Sequence, residues 1–144
     1  RYRYVTGVQT CALPICLTGF SRNLRKEIVK KNKYYFYDTG IRNALIANFN
    51  PLDIRNDAGE LWENFLLIER FKRNAYKNEI LNSYFWRTWN QQEIDLVEEK
   101  EGKLSGYEFK YGKKTPKAPE LWTDTYSNAS YEVINRENYL DFVL

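Results

Sequence analysis

The sequence predicts an α/β fold in which, from residue 58 onward, a helix is followed by three strands, a second helix and a final strand. Three observations carry this. Residues 58–75 place apolar side chains at nearly every angle of a helical wheel, the pattern of a buried helix. Segments 83–88, 93–98 and 104–111 are aromatic-rich or alternate apolar with polar residues, the two-residue period of strands. Between the last two lies a polar stretch with a single glycine, Gly102, suited to a hairpin turn.

Length and composition agree with one folded domain. The chain has 144 residues, 43% of them apolar and 28% charged, which excludes a disordered tail. No apolar run approaches the roughly 20 residues that a bilayer crossing needs, so no membrane association is expected. The chain has no histidine, which excludes Ser–His–Asp and Cys–His catalysis and His-ligated metals. Its two cysteines, Cys11 and Cys16, are too few for a four-thiolate zinc site. Any metal chemistry must therefore use oxygen ligands and a hard cation such as Mg²⁺, Mn²⁺ or Ca²⁺. Any general base must be Asp, Glu, Lys or Tyr.

Charge is unevenly spread. Residues 1–33 hold eight Lys/Arg and one acid, Glu27, for +7, whereas residues 34–144 hold 14 basic and 18 acidic residues, for −4. A basic arm of this kind suits phosphate contacts as well as plain solvation.

Taken in order, the elements begin with a string unlike the rest. Residues 5–15 resemble the in-frame translation of a short-read sequencing adapter, and all eleven agree with it. Residues 1–16 are therefore expected to lie outside the fold of a truncated reading frame that properly starts near Cys16 or Leu17. A secretory signal is rejected, because Gly7, Gln9 and Thr10 interrupt its apolar stretch. No disulfide is inferred, and a reducing cytoplasm is the expected location. Residues 17–57 are expected to form a lead-in with one strand and one short helix, and residues 58–144 the domain proper. Within the lead-in, 21–33 reads as a short helix or irregular stretch, and 34–37 as a strand by composition. Asp38 is placed to cap a helix over 39–47, and 48–56, with Pro51, reads as a loop.

For the helix over 58–75, Asp57 is the N-cap candidate, and Glu60 three residues later completes a capping-box pattern. Glu63 interrupts its otherwise apolar wheel, on the side shared with Arg70. After the three strands come a helix over 120–127, a strand over 131–135 and an apolar tail over 139–144.

The chemistry is concentrated in the hairpin. With the turn centred on Glu101 and Gly102, paired positions sum to 203. Ile94 then faces Phe109 and Leu96 faces Tyr107; on the other face Asp95 lies opposite Glu108, and Glu93 opposite Lys110. A slip of one residue would destroy both faces, whereas a slip of two keeps them and stays open. Opposed carboxylates, with Cβ atoms about 4.5–5.5 Å apart, destabilise a sheet unless water or a divalent cation lies between them. Lys110, two residues from Glu108, is placed to position a water or to stabilise charge on a phosphate. A solvated, charge-alternating hairpin face is the plain structural alternative.

Five segments in order give a resemblance: Lys33-Tyr-Tyr-Phe-Tyr-Asp-Thr-Gly40, Gly59-Glu-Leu-Trp-Glu-Asn-Phe65, Tyr84-Phe-Trp-Arg87, Glu93-Ile-Asp-Leu-Val97 and Tyr107-Glu-Phe-Lys-Tyr111. From about residue 17 onward the chain resembles the restriction-endonuclease-like, or PD-(D/E)xK, fold. More closely, it resembles domain of unknown function 4143, found at the C-terminus of AAA-type ATPases. The resemblance implies a central mixed sheet flanked by helices, with Mg²⁺ or Mn²⁺ as cofactor. It matches Glu63, Asp95, Glu108 and Lys110 to the active-site positions: Asp95 and Glu108 hold the metal, Glu63 completes or supports the site, and Lys110 positions water. The proline that precedes the metal-binding Asp in the family pattern is replaced by Ile94. The implied partners are nucleic acid and an ATPase module N-terminal to this domain. No Gly-x-x-x-x-Gly-Lys-Ser/Thr run occurs in the chain, so ATP hydrolysis is not expected of it. A non-catalytic DNA- or protein-binding module that regulates the ATPase is the alternative function.

Three further features have structural explanations beside functional ones. Aromatics at 34–37 and 84–89 suit base stacking but more commonly fill cores. Lys113, Lys114 and Lys117 suit a phosphate backbone or a solvated loop. Asp38-Thr-Gly is better read as a helix cap than as an aspartic-protease triplet.

Overall fold

The computed structural model describes residues 14–22, 27 and 31–144. The adapter-like string up to residue 13, Cys11, and most of the 21–33 segment lie outside the described residues. The elements are β1 (Pro14–Gly19), β2 (Lys33–Phe36), α1 (Thr39–Leu45), a 3₁₀ turn (Leu52–Ile54), α2 (Ala58–Tyr76), β3 (Asn82–Arg87), β4 (Glu93–Lys100), β5 (Lys103–Phe109), α3 (Glu120–Thr125), β6 (Ser130–Ile134) and α4 (Tyr139–Val143). The strands form one mixed sheet in the order β2-β1-β3-β4-β5-β6. β1 runs parallel to β3 and β5 parallel to β6, and the other neighbours are antiparallel. The α/β class, mixed sheet and flanking helices are those the sequence predicts.

β1 is an addition to that prediction. It takes in Pro14, Ile15 and Cys16, residues expected to lie outside the fold. Alternation explains it: Ile15, Leu17 and Gly19 turn inward while Cys16 and Thr18 face out, so the short stretch meets the period-two requirement of a strand. Through β1 the lead-in joins the same sheet as the elements after residue 58.

The sheet separates two apolar layers. α2 supplies Leu66, Leu67 and Ile68, and α4 supplies Phe142, to a cluster that includes Leu17, Tyr35, Phe85, Leu96, Phe109 and Ile134. On the other side Trp122 and Tyr126 pack with Phe20, Trp86, Ile94, Val97 and Leu104. The 139–144 tail is thus a short helix held down by its own core residue. The aromatics of β3 divide between the layers, Phe85 into one and Trp86 into the other, which leaves Tyr34, Tyr37 and Trp89 as the exposed members of the two aromatic runs.

Capping differs at the two helices. Asp38 caps α1 as expected, its Oδ1 accepting from the Gly40 and Ile41 amides at 2.6 and 3.3 Å. Asp57 stands at the start of α2 without capping it. Its carboxylate is held instead by Arg55 and Arg42, each at 2.8 Å, and charge-assisted pairing outcompetes a main-chain amide.

The hairpin register is the expected one where the strands pair. Leu96 faces Tyr107, and the ladder runs through Val97–Gly106 to Lys100–Lys103. Glu101 and Gly102 both take positive φ, 52° and 77°, the backbone of a two-residue I′ turn. On the other edge of β4 the alternation breaks. Tyr84 pairs with Val97 but Trp86 with Ile94, so three residues of β3 oppose four of β4. This bulge corrects the expectation that Ile94 and Leu96 share a face, because Ile94 packs on Trp122's side and Leu96 on α2's side. Asp95 lies between them, within the bulge.

Candidate functional site

The bulge sets Asp95 apart from an ordinary strand residue. Its side chain is buried, and its Oδ2 accepts the Phe109 amide at 2.9 Å, so a carboxylate takes over the β5 donor where the β4–β5 ladder stops. Oδ1 points at the ammonium of Lys33, 3.3 Å away. That ammonium is shared. It also lies 3.1 Å from Glu63 Oε1 on α2 and 2.5 Å from Glu93 Oε1 at the start of β4. The ring of Phe85 lies beneath it, 5.6 Å from the nitrogen to the centroid. Tyr35, two residues along β2 and on the same face, donates its hydroxyl to Glu63 Oε1 at 2.5 Å.

Glu108 and Lys110 form the other half of the site. Lys110 Nζ contacts Glu108 Oε1 at 2.6 Å. Glu108 Oε2 is buried and has no hydrogen-bond partner among the described residues. Lys110 follows the last residue of β5, and its amide continues the β5–β6 pairing by donating to the Ile134 carbonyl at 2.9 Å. Glu93, expected opposite Lys110, pairs instead with Lys33 and, at 3.6 Å, with Arg87.

The electrostatics follow from crowding acids in a partly dry place. Burial, then the neighbouring carboxylates of Glu63 and Glu108, pushes Asp95 up to about 7, against the opposing pull of Lys33 and the Phe109 amide. Burial likewise raises Glu108, with Lys110 opposing. Burial would lower the Lys33 ammonium, but Glu63, Asp95 and Glu93 together outweigh it and raise its proton affinity. Tyr131 on β6 is raised by burial and by the charges of Glu108 and Asp95.

The four residues named from the sequence therefore lie around one site, supported by α2, β4 and β5. Sequence reasoning missed Lys33, Tyr35 and the true partners of Glu93. The signal for the first two was present, since Lys33 and Tyr35 stand two apart in a strand and so share a face. Among the described residues, no group of three or more acidic or thiol side chains is arranged to hold a metal ion. Lys113, by contrast, is a solvated cation paired with Glu137 at 3.1 Å. No helix among the described residues is long and apolar enough to cross a membrane.

The model of one protein family, described as "Domain of unknown function (DUF4143)", matches residues 58–138, more than half of the chain. The chain belongs to this family. The match covers α2 through β6, and so takes in Glu63, Glu93, Asp95, Glu108 and Lys110 but neither Lys33 nor Tyr35. Among curated proteins, the chain is similar to "Uncharacterized protein Mb2031c" of Mycobacterium bovis and "Uncharacterized protein Rv2008c" of Mycobacterium tuberculosis. Each is 29% identical over 110 residues, which is 75% of this chain and 24% of the relative. The chain thus spans about a quarter of the length of the curated relatives it matches. No solved structure matches.

Proposed function

We propose that this DUF4143 domain is a restriction-endonuclease-like module that cleaves nucleic acid phosphodiesters with Mg²⁺ or Mn²⁺. The observation that carries the reading is Glu108 Oε2, a buried carboxylate oxygen without a hydrogen-bond partner among the described residues, beside an aspartate whose own proton affinity is raised by burial and by neighbouring acids. A buried anionic oxygen left unpaired is costly, and a bound cation is one way to satisfy it. The donor set fits a hard cation, because every candidate ligand is a carboxylate oxygen.

In this reading Asp95 and Glu108 would hold the ion and Glu63 would support it. The ion, when bound, would polarise a phosphoryl oxygen and lower the pKa of a water. The chain's own residues do the rest. Phe109's amide fixes the Asp95 carboxylate through Oδ2, and Tyr35 fixes Glu63. Burial would lower the Lys110 ammonium, but Glu108 outweighs it and raises its proton affinity, so it stays charged and can orient a water or meet a phosphate oxygen. An AAA-type ATPase module of the same polypeptide is the partner proposed for this domain.

The test is incubation of the purified chain with DNA and with RNA in Mg²⁺ or Mn²⁺. Cleavage that vanishes with a chelator and in Lys110→Ala supports the reading; no metal-dependent cleavage of either nucleic acid sinks it. One observation favours the second reading, a non-catalytic module for binding and regulation. Asp95 Oδ1 and Glu63 Oε1 both face the Lys33 ammonium, so as placed they serve a side chain.

A further inference from the structure

We infer that Lys33 is a built-in plug: its ammonium occupies the cation position of the acidic site and must swing out before a divalent ion can bind. The inference rests on the metal-site reading above and adds to it how the site is controlled. Lys33 Nζ lies within 2.5–3.3 Å of oxygens from Glu93, Glu63 and Asp95, with the Phe85 ring beneath it, and with the ammonium between them these three carboxylates are not arranged to hold a metal ion. A magnesium ion seeks such oxygens at about 2.0–2.1 Å with near-octahedral order, so it cannot share their centre with an ammonium.

Asp95 makes the competition sharp. Its Oδ2 is tied to a main-chain amide that cannot leave without breaking the sheet, so the oxygen open to exchange is Oδ1, the one that Lys33 holds. On Glu63 it is Oε1 that Lys33 holds, together with the Tyr35 hydroxyl.

The plug is also built to move. Lys33 is the first residue of β2, and β2 is the edge strand of the sheet, paired on one side only. Its long flexible stem can withdraw the charge with no change to the strand. The charge balance explains why a plug is useful. Glu63, Glu93, Asp95 and Glu108 converge, and besides Lys33 the cations paired with them among the described residues are Lys110 at Glu108 and Arg87 at Glu93, so an empty site without Lys33 would set four acids against two cations and leave Asp95 and Glu63 without one.

Two measurements test this with Mn²⁺ alone as the probe. Calorimetric titration of the wild type, Lys33→Met, Lys33→Gln and Asp95→Asn should show at least tenfold tighter Mn²⁺ binding in both Lys33 variants, and none in Asp95→Asn. Unchanged or weaker binding in the Lys33 variants, with clear binding in the wild type, overturns the plug and leaves the metal site standing. No binding in any protein overturns the metal site, and the plug with it. The second measurement needs no variant. Acylation of the wild type by an amine-reactive reagent, mapped by mass spectrometry, should label Lys33 several-fold faster once Mn²⁺ is added, while Lys113 stays constant. Labelling of Lys33 that is unchanged or slowed at saturating Mn²⁺ overturns the plug even if the variants fail to fold.

Discussion

Asp95 concentrates the unusual physics of the chain in one carboxyl group. Its folded-state pKa, about 7, lies above its ordinary value of 3.8, so the folded protein binds that proton more tightly than the unfolded one. An acid shifted in this direction contributes stability that is complete below the ordinary value and is lost as pH rises toward 7. In the presence of a chelator, Asp95→Asn should therefore match the wild type near pH 4 and exceed it above pH 7, by roughly 2–4 kcal/mol. Urea melts across that range check it, and a difference that does not vary with pH would refute the raised proton affinity. Asn64 is the other residue with consequences beyond its size. Buried on α2, it accepts from the Phe36 amide at 2.8 Å and donates to the Phe36 carbonyl at 2.7 Å, so one side chain serves as the missing neighbour of the edge strand. Asn64→Ala should cost about 1–3 kcal/mol in denaturant unfolding, since both main-chain groups lose their partner. At this scale the sequence was legible where charge stood out. Glu63 was visible as a carboxylate in an apolar wheel, whereas Asn64, one residue later, carries no charge, and a helical pattern does not show that its amide meets a strand end.

Among the elements, the β4–β5 hairpin was the most legible, because parity alone excludes half of the registers and a lone glycine marks the turn. Gly102 stands at φ 77° with open space around its Cα, so the cost of a side chain there is conformational. Gly102→Ala should destabilise by about 1 kcal/mol, read as a shift in the urea midpoint at constant m-value. Gly106 is the contrasting case, since a Cβ would meet Ile94 and Trp122 at 3.3 Å. Gly106→Val should cost about 1–3 kcal/mol through overpacking, and a near-neutral result would contradict the tight α3–sheet contact. What parity could not supply was the bulge. It depends on how β3 lies against β4, a pairing between segments whose own alternation is regular, and it decides which way Asp95 faces. The capping box at Asp57 failed for a similar reason. Arg42 reaches it only after the chain folds back through the 3₁₀ turn, and Arg55 binds it locally from two residues away.

For the whole molecule, β1 is the joint. It sits between β2 and β3, so it ties into the sheet the strand that brings Lys33 and Tyr35 to Glu63 and Asp95, while Asn64 holds the other side of that strand. Deleting residues 14–19 should lower the melting temperature by 10 °C or more, on the order of 2 kcal/mol or greater for a chain of this size, and release Lys33. A melt unchanged by the deletion would show that the two-strand edge is dispensable. The sequence of the lead-in hid this. Its charge and its adapter-like residues set it apart by composition, yet Ile15 and Leu17 needed only alternate spacing to find the apolar layer.

The parallel pairing of β1 with β3 has a consequence for the order of events during folding. Thr18 meets Tyr84 across nearly half of the chain's length, whereas β3, β4 and β5 meet through short turns. Closing a long loop is entropically costly and slow compared with zipping a hairpin. The three-stranded meander should therefore form first, with its carboxylates assembled before Lys33 reaches them, and the β1–β2 edge should dock last. In kinetic terms, substitutions at Leu17 and Tyr35 should chiefly accelerate unfolding, while those at Val97 and Leu104 should slow refolding. Until that final docking, Glu93, Asp95 and Glu108 lack the Lys33 ammonium and have Arg87 and Lys110 as their neighbouring cations, so the last step of folding is also the one that completes the charge balance of the site.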